Sequence, residues 1–240
     1  MATTNPSPKF IQRSLDFILP PRSKPRAALR GLPGAGPAAR VLERLPYTRR
    51  CYSICKWHTA LPPQAAATLA ASGFTVREGG EADLECMELT ETWRGCELYG
   101  QWLRNGRTLL LLEEAGRIVS YVWMDFHPEF AIEQVPEMRF RLASDAYFSD
   151  EAYTPRAHRG RGLRRMTFIA ELLAAREKGY NYLVSYFISK RAMAEGMRNF
   201  IRTGSAPGVL LKQTHVLQLA GFRFAWLKEI SKDPCVVRIK

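Results

Sequence analysis

Apolar residues follow two different periods along the chain. Residues 108–113 and 117–126 are rich in leucine, β-branched and aromatic side chains, and a short connection ending in Gly116 joins them. This arrangement predicts a β-hairpin. Residues 163–178 instead place apolar side chains at helical spacing, and Gly179 follows them. That segment is therefore predicted to be an amphipathic helix that ends at the glycine.

The same two patterns, with breaks at proline and glycine, predict the remaining elements. Strands are predicted at residues 51–59, 74–77, 146–153, 182–188, 222–230 and 235–239, and helices at 81–94 and 209–220. Residues 128–141 are predicted to form a loop. Strands and helices that follow one another in this way predict an α/β (α+β) fold.

Residues 1–50 differ from the rest of the chain because they are rich in proline, glycine, alanine and arginine. Prolines in the middle of this segment exclude a long helix. We therefore divide the chain into a basic extension (1–50), an extra strand with a linker (51–72) and a main domain (73–240).

The charge is distributed unevenly. Of the net charge of +12, residues 1–50 carry +8, residues 156–165 carry +5, and the rest of the chain carries −1. The main domain is thus nearly neutral outside one arginine cluster, which argues against binding of nucleic acid by the fold itself.

Several classes of protein are excluded by simpler observations. No apolar run approaches the length of a membrane span, and no signal peptide is recognised. Five cysteines without a C-x-x-C pair predict no metal site and indicate a reducing compartment, so we expect a cytoplasmic protein.

One segment carries recognisable chemistry: Arg159, Gly160, Arg161 and Gly162 lie between a predicted strand and the helix that begins at Leu163. Glycines at this place let backbone N–H groups at the helix N-terminus face an anion, and the arginines suit a ligand with several phosphates. By itself the pattern is also compatible with a plain turn or an RNA-binding tract. The sequence lacks the G-K-[ST] of a Walker loop and the glycine spacing of a dinucleotide fold.

Residues 157–162 resemble the Q/R-x-x-G-x-G/A motif of the GCN5-related N-acetyltransferase (GNAT) superfamily, with Ala157 at the first position. Gly221 and Phe222 resemble a second family element, and the likeness covers residues 73–230. It implies a mixed, mostly antiparallel central sheet flanked by helices, and acyl-CoA, above all acetyl-CoA, as co-substrate. The residues it implies for binding acyl-CoA are Tyr153, Thr154, Arg159, Gly160, Arg161, Gly162, Leu163 and Arg164.

The sequence offers several candidates for the catalytic groups. The tyrosine that usually protonates the leaving thiolate in this family is replaced by Leu217, and Tyr186 or His215 are the alternatives. For the base we favour Glu151, because strand alternation would place Tyr147, Ser149, Glu151 and Tyr153 on one face. His215, on the predicted helix 209–220, is a second candidate for either role.

The resulting hypothesis is an acyl-CoA-dependent N-acyltransferase acting on a small-molecule amine. The alternative is a protein that modifies or binds nucleic acid through its basic N-terminal arm. For residues 1–50 three roles stay open: an arm docked on the domain, a homodimer contact, or contact with an anionic membrane surface.

Overall fold

The computed structural model describes residues 47–86, 95–132, 135–188, 193–194, 196–198, 208–219 and 222–239. They belong to two compact units. The larger unit comprises residues 51–214 and 227–240, and the smaller comprises 1–50 and 215–226. The roles predicted for residues 1–50 concern a segment of which positions 1–46 lie outside the described residues. The predicted division into residues 1–50, 51–72 and 73–240 stays a prediction.

The described elements are mostly strands. The strands are β1 (Tyr47–His58), β2 (Thr75–Gly79), β3 (Thr108–Glu114), β4 (Arg117–Asp125), β5 (Glu129–Ile132), β6 (Val135–Leu142), β7 (Ala146–Tyr153), β8 (Tyr182–Phe187), β9 (Val209–Leu219), β10 (Phe222–Glu229) and β11 (Val236–Arg238). The helices are α1 (Pro63–Ala70), α2 (Glu81–Cys86), α3 (Gly95–Arg104) and α4 (Leu163–Glu177). Among the described residues, no helix has both the length and the apolar character needed to cross a membrane.

Eight strands form the central sheet, in the order β10, β9, β1, β8, β7, β4, β3, β2. The pairs β1/β8, β4/β7, β3/β4 and β2/β3 are antiparallel, whereas β7 and β8 run parallel. A second antiparallel sheet has the order β11, β6, β5. The predicted fold class, a mixed and mostly antiparallel sheet flanked by helices, is confirmed.

Both faces of the central sheet are covered by helices. One face buries Leu109, Leu111 and Trp123 beneath aromatic residues of α3. The opposite face buries Leu112 against Leu163 of α4, with side chains of the α1 region around them. Alternating residues of β3 thus point to opposite apolar layers, as expected for a strand buried on both faces.

The helix predicted at residues 209–220 is wrong, because residues 209–219 form strand β9. Leu211, Lys212, Gln213 and Thr214 are all buried, so burial here does not follow an apolar pattern of either period. Lys212 donates to Glu229, and Gln213 donates to Ser53. Polar side chains can be buried where they have such partners. The hydrophobic pattern of residues 209–219 therefore did not indicate a strand.

The loop predicted at residues 128–141 is also wrong, since β5 and β6 cover most of it. Their rings are buried: Phe130 stacks on Phe140 at 5.3 Å and on Phe148 of β7 at 4.3 Å between ring centroids. The predicted helix 81–94 is described only as α2, with 87–94 outside the described residues. Helix α1 was not predicted, although it begins with a proline at its first position, a common helix start.

Helix α4 contacts β7 through polar groups as well as apolar ones. Glu171 is fully buried, and the hydroxyl of Tyr147 on β7 donates to its Oε1 at 3.3 Å. The nearest cation is Arg164, whose Nη1 is 3.9 Å from Oε2. Burial raises the pKa of Glu171, and Arg164 and the hydrogen bonds from Ser149 and Tyr147 offset this only in part.

We expect Glu171→Gln to become more stabilising as the pH rises. The folded-state pKa of Glu171 is raised, so its carboxyl keeps a proton in the folded chain after the unfolded chain has released it. Its stabilising contribution is complete below the unfolded pKa of about 4.3 and is lost as the pH rises towards the folded pKa. Glutamine has no proton to lose, so urea unfolding at pH 4.5 and pH 8 should show a relative gain at pH 8.

The exposed Glu177 at the end of the same helix provides the matched control. For Glu177→Gln we expect the same stability difference from the wild type at both pH values. An equally pH-independent difference for Glu171→Gln would contradict the assignment.

Candidate functional site

Residues 159–162, which we call the glycine loop, precede α4 and have the backbone geometry that an anion site requires. Gly160 and Gly162 have positive φ values of 80° and 76°, and a Cβ built at either position would meet nothing within 4 Å. Gly162 is the N-cap of α4, and no side chain caps the helix. The first N–H groups of a helix have no acceptor within it, so they face open space at its positive end. The loop therefore has the backbone donors and the open space that an anion such as a phosphate group requires.

The arginines of this loop do not all point towards that space. The Nε of Arg159 donates to the carbonyl of Thr154 at 2.9 Å. Arg161 forms an ion pair of 2.5 Å with Glu114 and thereby lowers the pKa of that carboxyl. The side chain of Arg164 lies over Phe168 and reaches towards Glu171, further along α4. Arg164 thus offers its backbone N–H to the loop, while its guanidinium lies beside the helix.

The end of β7 is held by a residue that the sequence analysis missed. The hydroxyl of Ser120 on β4 donates to the carbonyl of Tyr153 at 2.9 Å, and it lies 2.9 Å from the hydroxyl of Thr154. Ser120 is fully buried. Nothing in its sequence context distinguishes it from a serine that simply fills a strand position.

Strands β7 and β8 pair over a short stretch and then separate. Their parallel pairing comprises Ala146 with Tyr182, Tyr147 with Leu183, and Phe148 with Val184. In the described part of β7, the following residues pair with β4 only. Over the same length β8 continues to pair with β1 as far as Phe187. The result is a gap in the pairing between β7 and β8, and β7 leads directly into the glycine loop.

A β-bulge lies on the β7 side of this gap. Val122 pairs with Ala152 and Met124 pairs with Ser149, so two residues of β7 stand opposite Trp123 alone. These two residues are Asp150 and Glu151. A bulge inserts one residue and reverses the alternation of side chains beyond it.

The bulge overturns the prediction that Tyr147, Ser149, Glu151 and Tyr153 share one face. Tyr147 and Ser149 face α4, where both form hydrogen bonds with Glu171. Glu151 lies on the opposite face, beneath α3, because the bulge has shifted the alternation by one position. Tyr153 lies there as well, against the aromatic layer beneath α3. Simple alternation fails here because it presupposes an unbroken register.

Each of the two bulge carboxylates has a partner from the α3 side. The Nη1 of Arg107, just after α3, donates to Asp150 at 2.9 Å, and its Nε is 3.0 Å from Asp125 of β4. The hydroxyl of Tyr99 in α3 donates to Glu151 Oε1 at 2.7 Å. Arg107 and Tyr99 were not predicted as site residues, and their spacing from β7 in sequence gives no signal that could have found them.

Of the two predicted acids, only the side chain of Tyr186 is described. Its ring stacks on Phe148 at 5.9 Å between centroids. Phe148 pairs with Asp125, on the face of β4 that also presents Tyr121 and Trp123, so Tyr186 and Glu151 lie on the same face of the sheet. They belong to the two strands that separate. His215 lies on strand β9 instead of the predicted helix.

Metal ligation has no support among the described side chains. Within those residues, no group of three or more histidine, cysteine, aspartate or glutamate side chains is arranged to hold a metal ion.

The buried cysteines Cys55 and Cys235 have thiol pKa values raised by burial, the latter to about 11.

Comparison with known proteins gives matches only at the level of structure. No family model matches the sequence, and no curated protein matches it. A GCN5-related glucosamine N-acetyltransferase region in a fungal multi-domain β-N-acetylglucosaminidase superposes with a TM-score of 0.51 and 10% sequence identity. The match covers 81% of this chain but 24% of the fungal protein, so this chain spans about a quarter of that length. This likeness shows that the chain has the GNAT fold, in agreement with the resemblance drawn from residues 157–162.

Two bacterial structures match with lower TM-scores. A GCN5-related N-acetyltransferase-like protein from Streptococcus suis matches with a TM-score of 0.44 and 15% identity over 77% of this chain and 69% of its own. A GNAT family N-acetyltransferase from Escherichia coli, solved in complex with CoA, matches with a TM-score of 0.36 and 18% identity. That match covers 47% of this chain and 61% of the E. coli chain.

We expect Arg107→Ala to destabilise the protein by about 3 kcal/mol, because it leaves two nearly buried carboxylates without their shared cation. Urea unfolding at pH 7 measures the change. Arg104→Ala is the matched control: its ion pair with Glu81 is exposed on both sides, and the expected cost is below about 0.5 kcal/mol. Equal costs for the two variants would show that Arg107 does not clamp the bulge.

Proposed function

We infer that the protein is an N-acyltransferase that uses acyl-CoA, with acetyl-CoA as the expected donor. The observation that carries this proposal is the gap between β7 and β8. On one side of it, β7 carries the bulge that presents Glu151, and the chain continues from β7 to the uncapped N-terminus of α4. An elongated donor with a phosphate end and a reactive thioester end has the shape and the charge for such a gap.

The phosphate end of the donor would lie on the glycine loop. The backbone N–H groups of Leu163 and Arg164 belong to the first turn of α4, where an anion is favoured. Gly160 and Gly162 leave room for the phosphates to approach the backbone. Arg159 and Arg161 carry the nearby positive charges, and Tyr153 and Thr154 form the adjoining end of β7.

The proton transfers can be assigned to groups on a single face of the sheet. The Glu151 carboxylate takes a proton from the amine of the acceptor, whose nitrogen then attacks the thioester carbonyl carbon. As the carbon–sulfur bond breaks, the hydroxyl of Tyr186 donates its proton to the sulfur. Glu151 then releases its proton to solvent and Tyr186 regains one, so both groups return to their starting states. The products are an amide and CoA with a free thiol, so the acyl group moves without a change in oxidation state.

The acceptor is proposed to be a small-molecule amine. The two proton-transfer groups lie on the face that carries α3 and the aromatic layer around Trp123, so an acceptor would reach the thioester from that side. His215 stays a second candidate for proton transfer, and a cytoplasmic location stays a prediction.

The first test concerns binding of acetyl-CoA. Gly162→Ala should weaken binding about tenfold, because a Cβ at a positive φ displaces the backbone N–H groups at the start of α4. Gly179→Ala is the matched control at the other end of the same helix, with φ at 89° and nothing within 4 Å of its Cβ. Both variants should lose about 1 kcal/mol of stability.

Isothermal titration of the full chain with acetyl-CoA separates the two variants. We expect an unchanged dissociation constant for Gly179→Ala. Absence of binding to the folded wild type at millimolar acetyl-CoA would rule out the proposed function. Equal weakening in both variants would show that the N-terminus of α4 is not the phosphate site.

The second test concerns the base. Glu151→Gln should lower kcat about a hundredfold or more, because glutamine cannot accept the proton of the acceptor amine. The affinity for acetyl-CoA should stay unchanged. Release of the CoA thiol from acetyl-CoA in the presence of a panel of primary amines measures the rate. A variant that keeps the wild-type rate would remove Glu151 from the mechanism.

A further inference from the structure

Two phenol groups lie one behind the other next to the Glu151 carboxylate. The hydroxyl of Tyr99 is 2.7 Å from Glu151 Oε1, and the hydroxyl of Tyr121 is 3.2 Å from that of Tyr99. Tyr99 has no exposed surface, and 2% of Tyr121 is exposed. They come from different elements, α3 and β4, and converge on the bulge in β7.

The direction of these hydrogen bonds follows from proton counting. A phenol has one proton to donate, and the hydroxyl of Tyr99 uses it in the hydrogen bond to the Glu151 carboxylate. The bond between the two phenols is then made by the Tyr121 proton, which is donated to the oxygen of Tyr99. Burial, together with the bond to Tyr99 and the nearby Glu151, raises the pKa of Tyr121 well above its usual range, so this proton is retained.

The position of the Tyr99 hydroxyl is fixed by the packing of its ring. The ring contacts Trp102 at 5.4 Å, Trp123 at 5.2 Å and Tyr121 at 6.2 Å between centroids. A phenylalanine would fill the same space and keep these contacts. The hydroxyl therefore has a separate role, and its partner is the carboxylate that the bulge brings to this face.

We propose that Tyr99 is a positioning residue for Glu151: it orients the carboxylate and stabilises its ionised form. Tyr121 in turn holds the Tyr99 hydroxyl by donating a hydrogen bond to it. This proposal rests on the proposed function, in which Glu151 takes the proton of the amine. An aromatic surrounding favours the neutral form of a carboxyl group, and a hydrogen bond donated to the carboxylate opposes that effect. The hydrogen bond from Tyr99 therefore favours the ionised carboxylate that the proposed proton transfer requires.

Several ionisable groups lie near Glu151 in the part of the chain that the structure describes. On its own strand they are Tyr153 and Asp150, and Asp150 is bound by Arg107, which comes from the segment after α3. Tyr99 and Tyr121 are the groups from α3 and β4. Because Tyr99 contacts Glu151 directly, its removal should change the titration of this carboxyl most.

The test is a direct titration of the Glu151 carboxyl by carbon-13 NMR in the full chain, with labelled glutamate and the resonance assigned by its loss in Glu151→Gln. In Tyr99→Phe the titration midpoint should rise by about one pH unit. Tyr147→Phe is the matched control, since it removes a buried phenol hydroxyl that contacts Glu171 on the opposite face. Its midpoint for Glu151 should equal that of the wild type.

An unchanged midpoint in a folded Tyr99→Phe variant would overturn the proposal, whatever its stability. Should that variant fail to fold, Tyr121→Phe replaces it, with a smaller upward shift expected and an unchanged midpoint contradicting the proposal.

The same shift should appear in the acidic limb of the pH profile of kcat/KM, measured as thiol release from acetyl-CoA with an amine of the panel. The titration requires no substrate, so it separates the two hypotheses. A shifted midpoint in a chain without acyltransferase activity would contradict the proposed function. It would still support the hydrogen bond from Tyr99 as the interaction that stabilises the ionised Glu151.

Discussion

The single extra residue in β7 determines the arrangement of the candidate site. With a regular register, Glu151 would lie on the face of Tyr147 and Ser149, against α4. The bulge opposite Trp123 moves it to the other face, where the hydroxyl of Tyr99 meets it. The bulge also lies next to the point at which β7 separates from β8. One insertion in one strand thus sets both the orientation of the carboxylate and its position beside the gap.

Buried carboxyl groups have different partners on the two faces of the sheet. On the α4 face Glu171 lies among hydroxyl groups, with its nearest cation at 3.9 Å, and burial raises its pKa. On the α3 face Asp150 shares Arg107 with Asp125, and Glu151 accepts a hydrogen bond from the phenol hydroxyl of Tyr99. The first arrangement favours a carboxyl group that keeps its proton, and the second supplies donors suited to ionised carboxylates. This contrast supports a structural role for Glu171 and a chemical one for Glu151.

Elements with strong local signals could be predicted from the sequence. The hairpin of β3 and β4, the bounds of β7 and the start of α4 after Gly162 follow from periodicity and from the glycines themselves. The glycine loop was recognised because its chemistry lies within a few consecutive residues.

What could not be predicted depends on residues distant in sequence. A one-residue bulge leaves no trace in an apolar pattern, so Glu151 was wrongly placed on the same face as Tyr147 and Ser149. Strand β9 was missed because its polar residues are buried and paired with β1 and β10. Tyr99, Arg107 and Ser120 act through contacts that only the assembled sheet brings together.

The most direct test of the account is a crystal structure of the full chain with acetyl-CoA. It should show the pyrophosphate on the backbone N–H groups at the start of α4 and the thioester in the gap between β7 and β8. The carbonyl carbon should then be accessible from the face that carries Glu151. A donor bound elsewhere, or a thioester that opens towards α4 and Glu171, would contradict the proposed site.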